Sequence, residues 1–273
     1  MRTVGMRLVS SRANPQYKLL RLLAKSAHER RTKGCTILDG PHLVSGFIDR
    51  CGAPKLIVVS KDAGDDSEVE AVLARAGACP VLCLATELFR QLAPVETPVG
   101  ILAVIDIPQS DQTAGSGDFA VMLEGVQDPG NVGTIIRSAA AAGADEVLLS
   151  SGCADAWSPR TLRAAMGAHF AIPVHTGVDL REAVSRFPGV SVAAVGDRGL
   201  PPHEVDLRGR VALLFGSEGA GLSEALRQKA DVLVSIPMAR GIESLSVGAA
   251  AAVVLFERVR QLSAKRSPVE RSG

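Results

Sequence analysis

Short apolar runs and amphipathic stretches alternate along almost the whole chain. In the first hundred residues, the runs at 35–38, 56–59, 81–84 and 99–105 are rich in Val, Ile and Leu, which predicts strands. Between them, 16–28, 41–50, 68–76 and 87–92 carry apolar residues at helical spacing, as in Leu19, Leu20, Leu22 and Leu23. Pro41 stands at the early helical position that tolerates proline. The alternation resumes after residue 118. Strands are expected at 119–123, 146–149, 171–174, 191–195, 211–215 and 232–236, and helices at 132–142, 159–166, 180–187, 223–229 and 244–262. Strands that are apolar throughout and separated by helices imply a mostly parallel sheet covered on both faces. The stretch 108–118 is polar, Gly/Ser-rich and without apolar period, and reads as a linker. The chain is therefore an α/β protein with a smaller α/β domain at 1–107 and a larger sheet domain at 119–273.

Composition adds little about partners until its distribution is considered. The chain has 273 residues, 47% of them hydrophobic but only 3% aromatic, so its cores must be packed from Ala, Val, Leu and Ile. The net charge of +1 is neutral as to nucleic acid. Between residues 2 and 33, however, Arg2, Arg7, Arg12, Lys18, Arg21, Lys25, Arg30, Arg31 and Lys33 face only Glu29. That segment is either a phosphate-binding surface or a solvated basic face. The five scattered cysteines point to reduced thiols in the cytosol. Cys79 and Cys83 have no second ligand pair nearby and the histidines show no ligand spacing, so no metal is expected. The longest apolar run, 247–256, is too short to cross a bilayer, and the basic start lacks the apolar core of a signal peptide, so no membrane role is expected.

Three constellations carry candidate chemistry. Asn131, Gly133 and Arg137 follow a strand and a Pro-Gly loop; Asn131 reads either as a helix cap or as a working amide, and Arg137 as a solvated charge or a reaching one. Gly216, Gly219 and Gly221 follow an apolar strand and allow backbone to approach a ligand closely. Their order is neither the dinucleotide fingerprint nor a P-loop, which opposes a nicotinamide-dependent oxidoreductase on the same kind of sheet. Residues 236–247 run from a strand through a proline turn and a polar loop into an Ala-rich helix. That helix is apolar almost all round over 247–256; one face can pack on its own sheet and the other needs a partner, which predicts a homodimer.

In order and spacing, these three segments resemble the motifs of the SpoU/TrmH family of RNA ribose 2′-O-methyltransferases. Residues 14–21 with Arg30-Arg31 and 37–44 look like the substrate-binding domain of many such enzymes, itself similar to ribosomal protein L30e, and 155–160 is similar to a further family segment. The resemblance implies a C-terminal domain tied in a trefoil knot, S-adenosylmethionine as cofactor, and methyl transfer to structured RNA, with ribosomal RNA ahead of transfer RNA. It casts Arg137 as the catalytic residue, with Asn131, Glu218 and Ser244 in support. It gives the cofactor to Leu214, Gly216, Glu218, Gly219, Ile236, Met238, Ser244 and Leu245. Arg12, Lys18, Arg21, Arg30, Arg31, Arg160 and Arg163 are the candidate RNA contacts. The chain departs from the usual motif at Ser246, where the family has asparagine, which keeps open a protein that binds RNA without turnover.

Overall fold

A computed structural model describes residues 8–63, 66–108 and 114–264. Arg2 and Arg7 of the basic segment, and 109–113 of the expected linker, lie outside the described residues. The chain divides into two compact units, Met1–Gln109 with Trp157–Phe170, and Ser110–Ala156 with Ala171–Gly273.

The first unit is built from β1 (Leu8–Val9), α1 (Pro15–Lys25), α2 (Ala27–Lys33), β2 (Cys35–Asp39), α3 (Pro41–Cys51), β3 (Leu56–Ser60), α4 (Ser67–Arg75), β4 (Val81–Leu84), α5 (Thr86–Arg90) and β5 (Ile101–Asp106). Its sheet runs β1-β4-β3-β5-β2, with β5 antiparallel to both β2 and β3. The two-residue β1 carries too little pattern to be read from sequence. The single helix expected at 16–28 is two helices. Ser26 ends α1, and its Oγ accepts from Glu29 N at 3.2 Å to cap α2. Asn14 caps the start of α1 through Gln16 N and Tyr17 N. Tyr17, Leu20, Leu23, Leu84 and Phe89 are sealed in the core beneath α1.

The second unit continues with β6 (Phe119–Leu123), α6 (Pro129–Ala141) and β7 (Glu146–Leu149). The next helix, α7 (Pro159–Ala165), belongs to the first unit. Its place in the sequence, within 119–273, assigns it to the second domain, and the contacts it makes do not. Thr36 Oγ1 donates to Trp157 O at 2.6 Å, Arg163 pairs with the buried Asp39 at 2.7 Å, and the rings of Phe47 and Phe170 meet edge-on at 5.2 Å. A run of strands and helices shows no such exchange, because it depends on contacts remote in sequence.

The chain then forms β8 (Val174–Thr176), α8 (Leu180–Arg186), β9 (Val190–Ala194), β10 (Val211–Phe215), α9 (Glu224–Lys229), β11 (Val232–Val234) and α10 (Val247–Ala264). The strand expected at 171–174 starts only where that range ends. All six strands are parallel, in the order β11-β9-β10-β6-β7-β8. Met122, Leu148, Ala193, Ala212 and Leu214 pack against α8 and α9 on one face of this sheet. The last residues of the expected linker are tied down: Glu146 accepts from Gly115 N and Gly117 N, and Asp145 from Asp118 N and Phe119 N, at 2.7–2.9 Å.

Helix α10 lies against α6, and Gly248 makes the approach possible, since a Cβ there would press on Asn131 Oδ1 and Thr134. Its buried stripe is Gly248, Ala251, Val254, Leu255 and Arg258. Within one chain the opposite stripe, with Val253 at 44% and Phe256 at 47% exposure, is bare rather than covered. Among the described residues no helix is long and apolar enough to cross a membrane, and no cluster of His, Cys, Asp or Glu has the makings of a metal site.

Candidate active site

The carboxyl ends of β9, β10 and β11 open into a hollow of about 420 Å³. Ligands of open parallel sheets bind at that edge, because the strands point their following loops there. Three loops wall the hollow: Ala194, Val195 and Gly196 after β9; the glycine loop from Phe215 to Gly221 after β10; and Ile236, Met238, Glu243, Ser244 and Leu245 between β11 and α10. The glycine loop closes on itself. Ser217 N donates to Gly221 O at 3.1 Å and Gly221 N to Ser217 O at 3.0 Å. A side chain at Gly216 would collide with the backbone of Gly221 and Leu222, and Gly221 holds φ at +67°.

Of the expected cofactor residues, Gly216, Glu218, Gly219, Ile236, Met238, Ser244 and Leu245 line this hollow. Leu214 does not. It is fully buried among Leu180, Leu222 and Leu226, and Phe215 lines the cavity instead. Successive strand side chains leave on opposite faces, so the position before the loop could not share the position after it. The wall after β9 was missed by sequence reading. Its one signal was a glycine directly after an apolar strand, at Gly196 as at Gly216.

Asn131 is not a helix cap. Asp128 caps α6 by accepting from Asn131 N at 2.8 Å, which leaves the Asn131 side chain free to donate from Nδ2 to Glu218 Oε1 at 2.9 Å. Glu218 also receives Gln127 N and Asp128 N at 3.4 Å. Burial works against this carboxylate, yet the hydrogen bond from Asn131 and those from backbone N–H groups outweigh it and hold its pKa below the ordinary glutamate value. Glu218 is therefore an anion at neutral pH that joins the glycine loop to the start of α6.

Arg137 is not brought to the hollow of its own chain. It sits further along α6 on an exposed face shared with Thr134 and Ala141 and lines no part of the cavity, and its side chain makes no hydrogen bond or ion pair among the described residues. The reason is helical geometry: six residues separate it from Asn131, which is far from a whole number of turns. Ser244 lines the hollow on an exposed stretch. Ser246 has a local task, since its Oγ accepts from Ala249 N at 3.3 Å in the first turn of α10.

The candidate RNA contacts sort by exposure. Arg12, Lys18, Arg21, Arg31 and Arg160 are exposed. Arg163 is half-exposed but paired with Asp39. Burial raises the pKa of that aspartate despite the opposing guanidinium. Arg30 is a correction: only 4% exposed, it donates to Leu23 O at 2.6 Å and joins α2 to α1 rather than facing solvent.

An all-parallel sheet with a closed glycine loop and a cavity at its carboxyl edge defines a ligand-binding α/β domain. Residues 118–256 match the model of the SpoU rRNA Methylase family. The chain is 33% identical to the 23S rRNA (guanosine(2553)-2′-O)-methyltransferase RlmP of Bacillus subtilis over 92% of its own length and 98% of that protein's. It is 30% identical to the 23S rRNA (uridine(2479)-2′-O)-methyltransferase of Streptomyces viridochromogenes, covering 95% and 94%. Among solved structures it is similar to AviRb from Streptomyces viridochromogenes in complex with AdoMet, with a TM-score of 0.81 at 27% identity over 92% of this chain and 98% of that one. An AdoMet-bound rRNA methyltransferase from Sinorhizobium meliloti gives a TM-score of 0.80 at 30% identity over 94% and 98%. The chain belongs to the SpoU rRNA methylase family.

Proposed function

We propose that the chain transfers a methyl group from S-adenosylmethionine to a ribose 2′-hydroxyl of ribosomal RNA. The hollow at the ends of β9–β11 carries this reading. Its size is in the range of cofactor pockets, and it joins an apolar wall (Val234, Ile236, Leu245, Val254) to the bare backbone of the glycine loop. The apolar wall suits the adenine, and the loop N–H and C=O groups suit the polar ends of the cofactor. When bound, S-adenosylmethionine supplies a methyl carbon on a positively charged sulfur.

The chain's own residues have two tasks. The loops hold donor and acceptor in line, and alignment of this kind contributes about 7–11 kcal/mol to such reactions. Arg137 grips the phosphate beside the target ribose and stabilises the negative charge developing on its 2′-oxygen. It acts as a fixed cation rather than a base, because a guanidinium keeps its proton at neutral pH. Asn131, held by Glu218, and Ser244 orient the hydroxyl.

Because Arg137 is exposed and lines no part of its own hollow, and because the outer stripe of α10 is bare, the site in this reading is completed in a homodimer. Two copies joined through Val253 and Phe256 bury both stripes and bring Arg137 toward the partner subunit's hollow. The threaded, knotted course of the C-terminal segment belongs to the same reading. Lys18, Arg21 and Arg31, with Arg12 and Arg160, contact RNA phosphates from the first unit, in the manner of an L30e-like domain. The protein works in the cytoplasm, in keeping with five free thiols and a ribosomal substrate.

Incubation with methyl-labelled S-adenosylmethionine and unmodified ribosomal RNA tests the reading. Label is expected in one alkali-resistant dinucleotide, the mark of a blocked 2′-oxygen. Tight cofactor binding with no label in any RNA would instead favour the non-catalytic binder.

A further inference from the structure

Two carboxylates tie the glycine loop to the segment that opens α6. Glu218 is one of them. The other, Glu124, belongs to none of the residues assigned above. It follows β6 directly, and its N–H donates to Phe215 O at 2.9 Å, which extends the pairing of β6 with β10 by one residue. Its half-buried side chain then reaches across to the far end of the glycine loop. Oε2 accepts from Ser223 N at 2.6 Å and Oε1 from Ser223 Oγ at 2.8 Å. Ser223 is where the loop ends and α9 begins, and the same hydroxyl caps that helix through Leu226 N.

The loop is thus held at both shoulders. Glu218 reaches from the loop to Asn131, and Glu124 reaches from the β6 side to Ser223, while the paired bonds of Ser217 and Gly221 close the loop between them. Glu124 and Ser223 line no part of the hollow, so neither touches the ligand. Charge-assisted hydrogen bonds at 2.6–2.8 Å are among the stronger ones available to a protein. Two of them on one residue fix both its backbone and its side chain.

We propose that Glu124 is a positioning residue for the cofactor: through Ser223 it sets the pose in which residues 216–222 present their backbone to the hollow. The proposal rests on the reading that this hollow seats S-adenosylmethionine. Glu124→Ala removes both bonds. Glu124→Gln can keep them, its carbonyl accepting from Ser223 N–H and its amide donating to Ser223 Oγ. Ser223→Ala removes the hydroxyl bond to Glu124 and the cap on Leu226 N, and leaves the backbone bond to Glu124 in place.

The test uses the full-length protein, with calorimetric titration of S-adenosylhomocysteine and steady-state methylation of ribosomal RNA. Glu124→Ala is expected to weaken binding about 10-fold and to raise KM for S-adenosylmethionine equally, with kcat at saturation changed less than about 2-fold. Ser223→Ala should weaken binding about 3-fold, and Glu124→Gln should recover most of the loss. An unchanged affinity in Glu124→Ala, with only a lower Tm, overturns the proposal and leaves Glu124 as fold support. If Glu124→Ala does not fold, an unchanged affinity in Ser223→Ala overturns it in the same way. Failure of the wild-type protein to bind the probe removes the cofactor seat itself, a separate outcome from normal binding by every variant.

Discussion

The hollow at the ends of β9–β11 is walled by loops of its own chain, and its glycine loop is tied down: Glu218 holds Asn131, and Ser217 closes on Gly221. The outward face of α6 is the opposite case. Arg137 stands there exposed, its side chain without a bond among the described residues, next to a helix whose Val253 and Phe256 are bare. The two regions share one sheet and one family signature. In the homodimer proposed above, their difference separates the tasks: one copy of the chain seats the cofactor, and the second completes the charge around the acceptor.

The largest expected effect breaks this comparison directly. Arg137→Ala should lower methyl transfer about 10²–10³-fold while leaving cofactor affinity within about 2-fold, the pattern of a group that acts only on the transition state. Gly216→Ala should fail at the other task, losing cofactor binding because its side chain meets the backbone of Gly221 and Leu222. Mixed and allowed to exchange, the two inactive variants should recover about a quarter of wild-type activity, since half of the dimers then hold one site with both parts intact. No recovery would place Arg137 at the hollow of its own chain. Phe256→Asp puts a charge on the bare stripe twice per dimer. It should weaken association at least about 100-fold, seen by sedimentation, and transfer should fall in step while the monomer still binds cofactor.

A second contrast lies within the basic segment of the first unit. Lys18→Ala and Arg31→Ala remove exposed charges, and each should flatten the salt dependence of RNA affinity by about 0.7–0.9 in log–log slope without lowering Tm. Arg30→Ala should do the reverse, lowering Tm and leaving the slope alone, because Arg30 is spent on Leu23 O. A slope change with Arg30 and none with Arg31 would invert the assignment.

These contrasts mark where sequence was enough. Apolar runs located β4, β6, β7 and β10 to within a residue, because buried parallel strands must be apolar along their length. The motif order marked nearly all of the cavity wall after β10 and β11. Leu214 was misplaced because motif spacing carries no face of the strand. The split at Ser26 was hidden because a serine that ends one helix while capping the next looks like a polar position within a single one. Burial of Arg30, the wall after β9, the loan of α7 to the first unit and the Glu124 clamp all depend on contacts remote in sequence.

A smaller effect concerns how α10 is held. Glu257 accepts from Arg260 and Gln261, and with Arg260 as the main cause its pKa falls to about 2 from an ordinary 4.5. A carboxyl with a depressed folded-state pKa contributes fully above its unfolded value and loses that contribution as pH falls toward the folded one. Acid unfolding of the wild type between about pH 4.5 and pH 2 should therefore be steeper than that of Glu257→Gln. Equal slopes would mean that these bonds do nothing for the folded state.

The smallest expected effect concerns the one departure from the family motif. Ser246 accepts from Ala249 N at 3.3 Å, and Ala250 N donates to its backbone oxygen at 2.9 Å, which is the arrangement of a helix cap. Serine and asparagine serve about equally well at such positions, since each offers a short side-chain oxygen to the first free N–H groups. Ser246→Asn should therefore shift stability by no more than a few tenths of a kcal/mol, while Ser246→Ala should cost about 1 kcal/mol. Ser246 is also absent from the cavity wall, whereas its neighbours Leu245 and Val247 are part of it. Cofactor affinity and kcat should then match between wild type and Ser246→Asn. A gain of tenfold or more in kcat for the asparagine variant would show that the amide works on the acceptor RNA, and that this chain runs with a weakened site. Equality would make the departure a substitution of one cap for another.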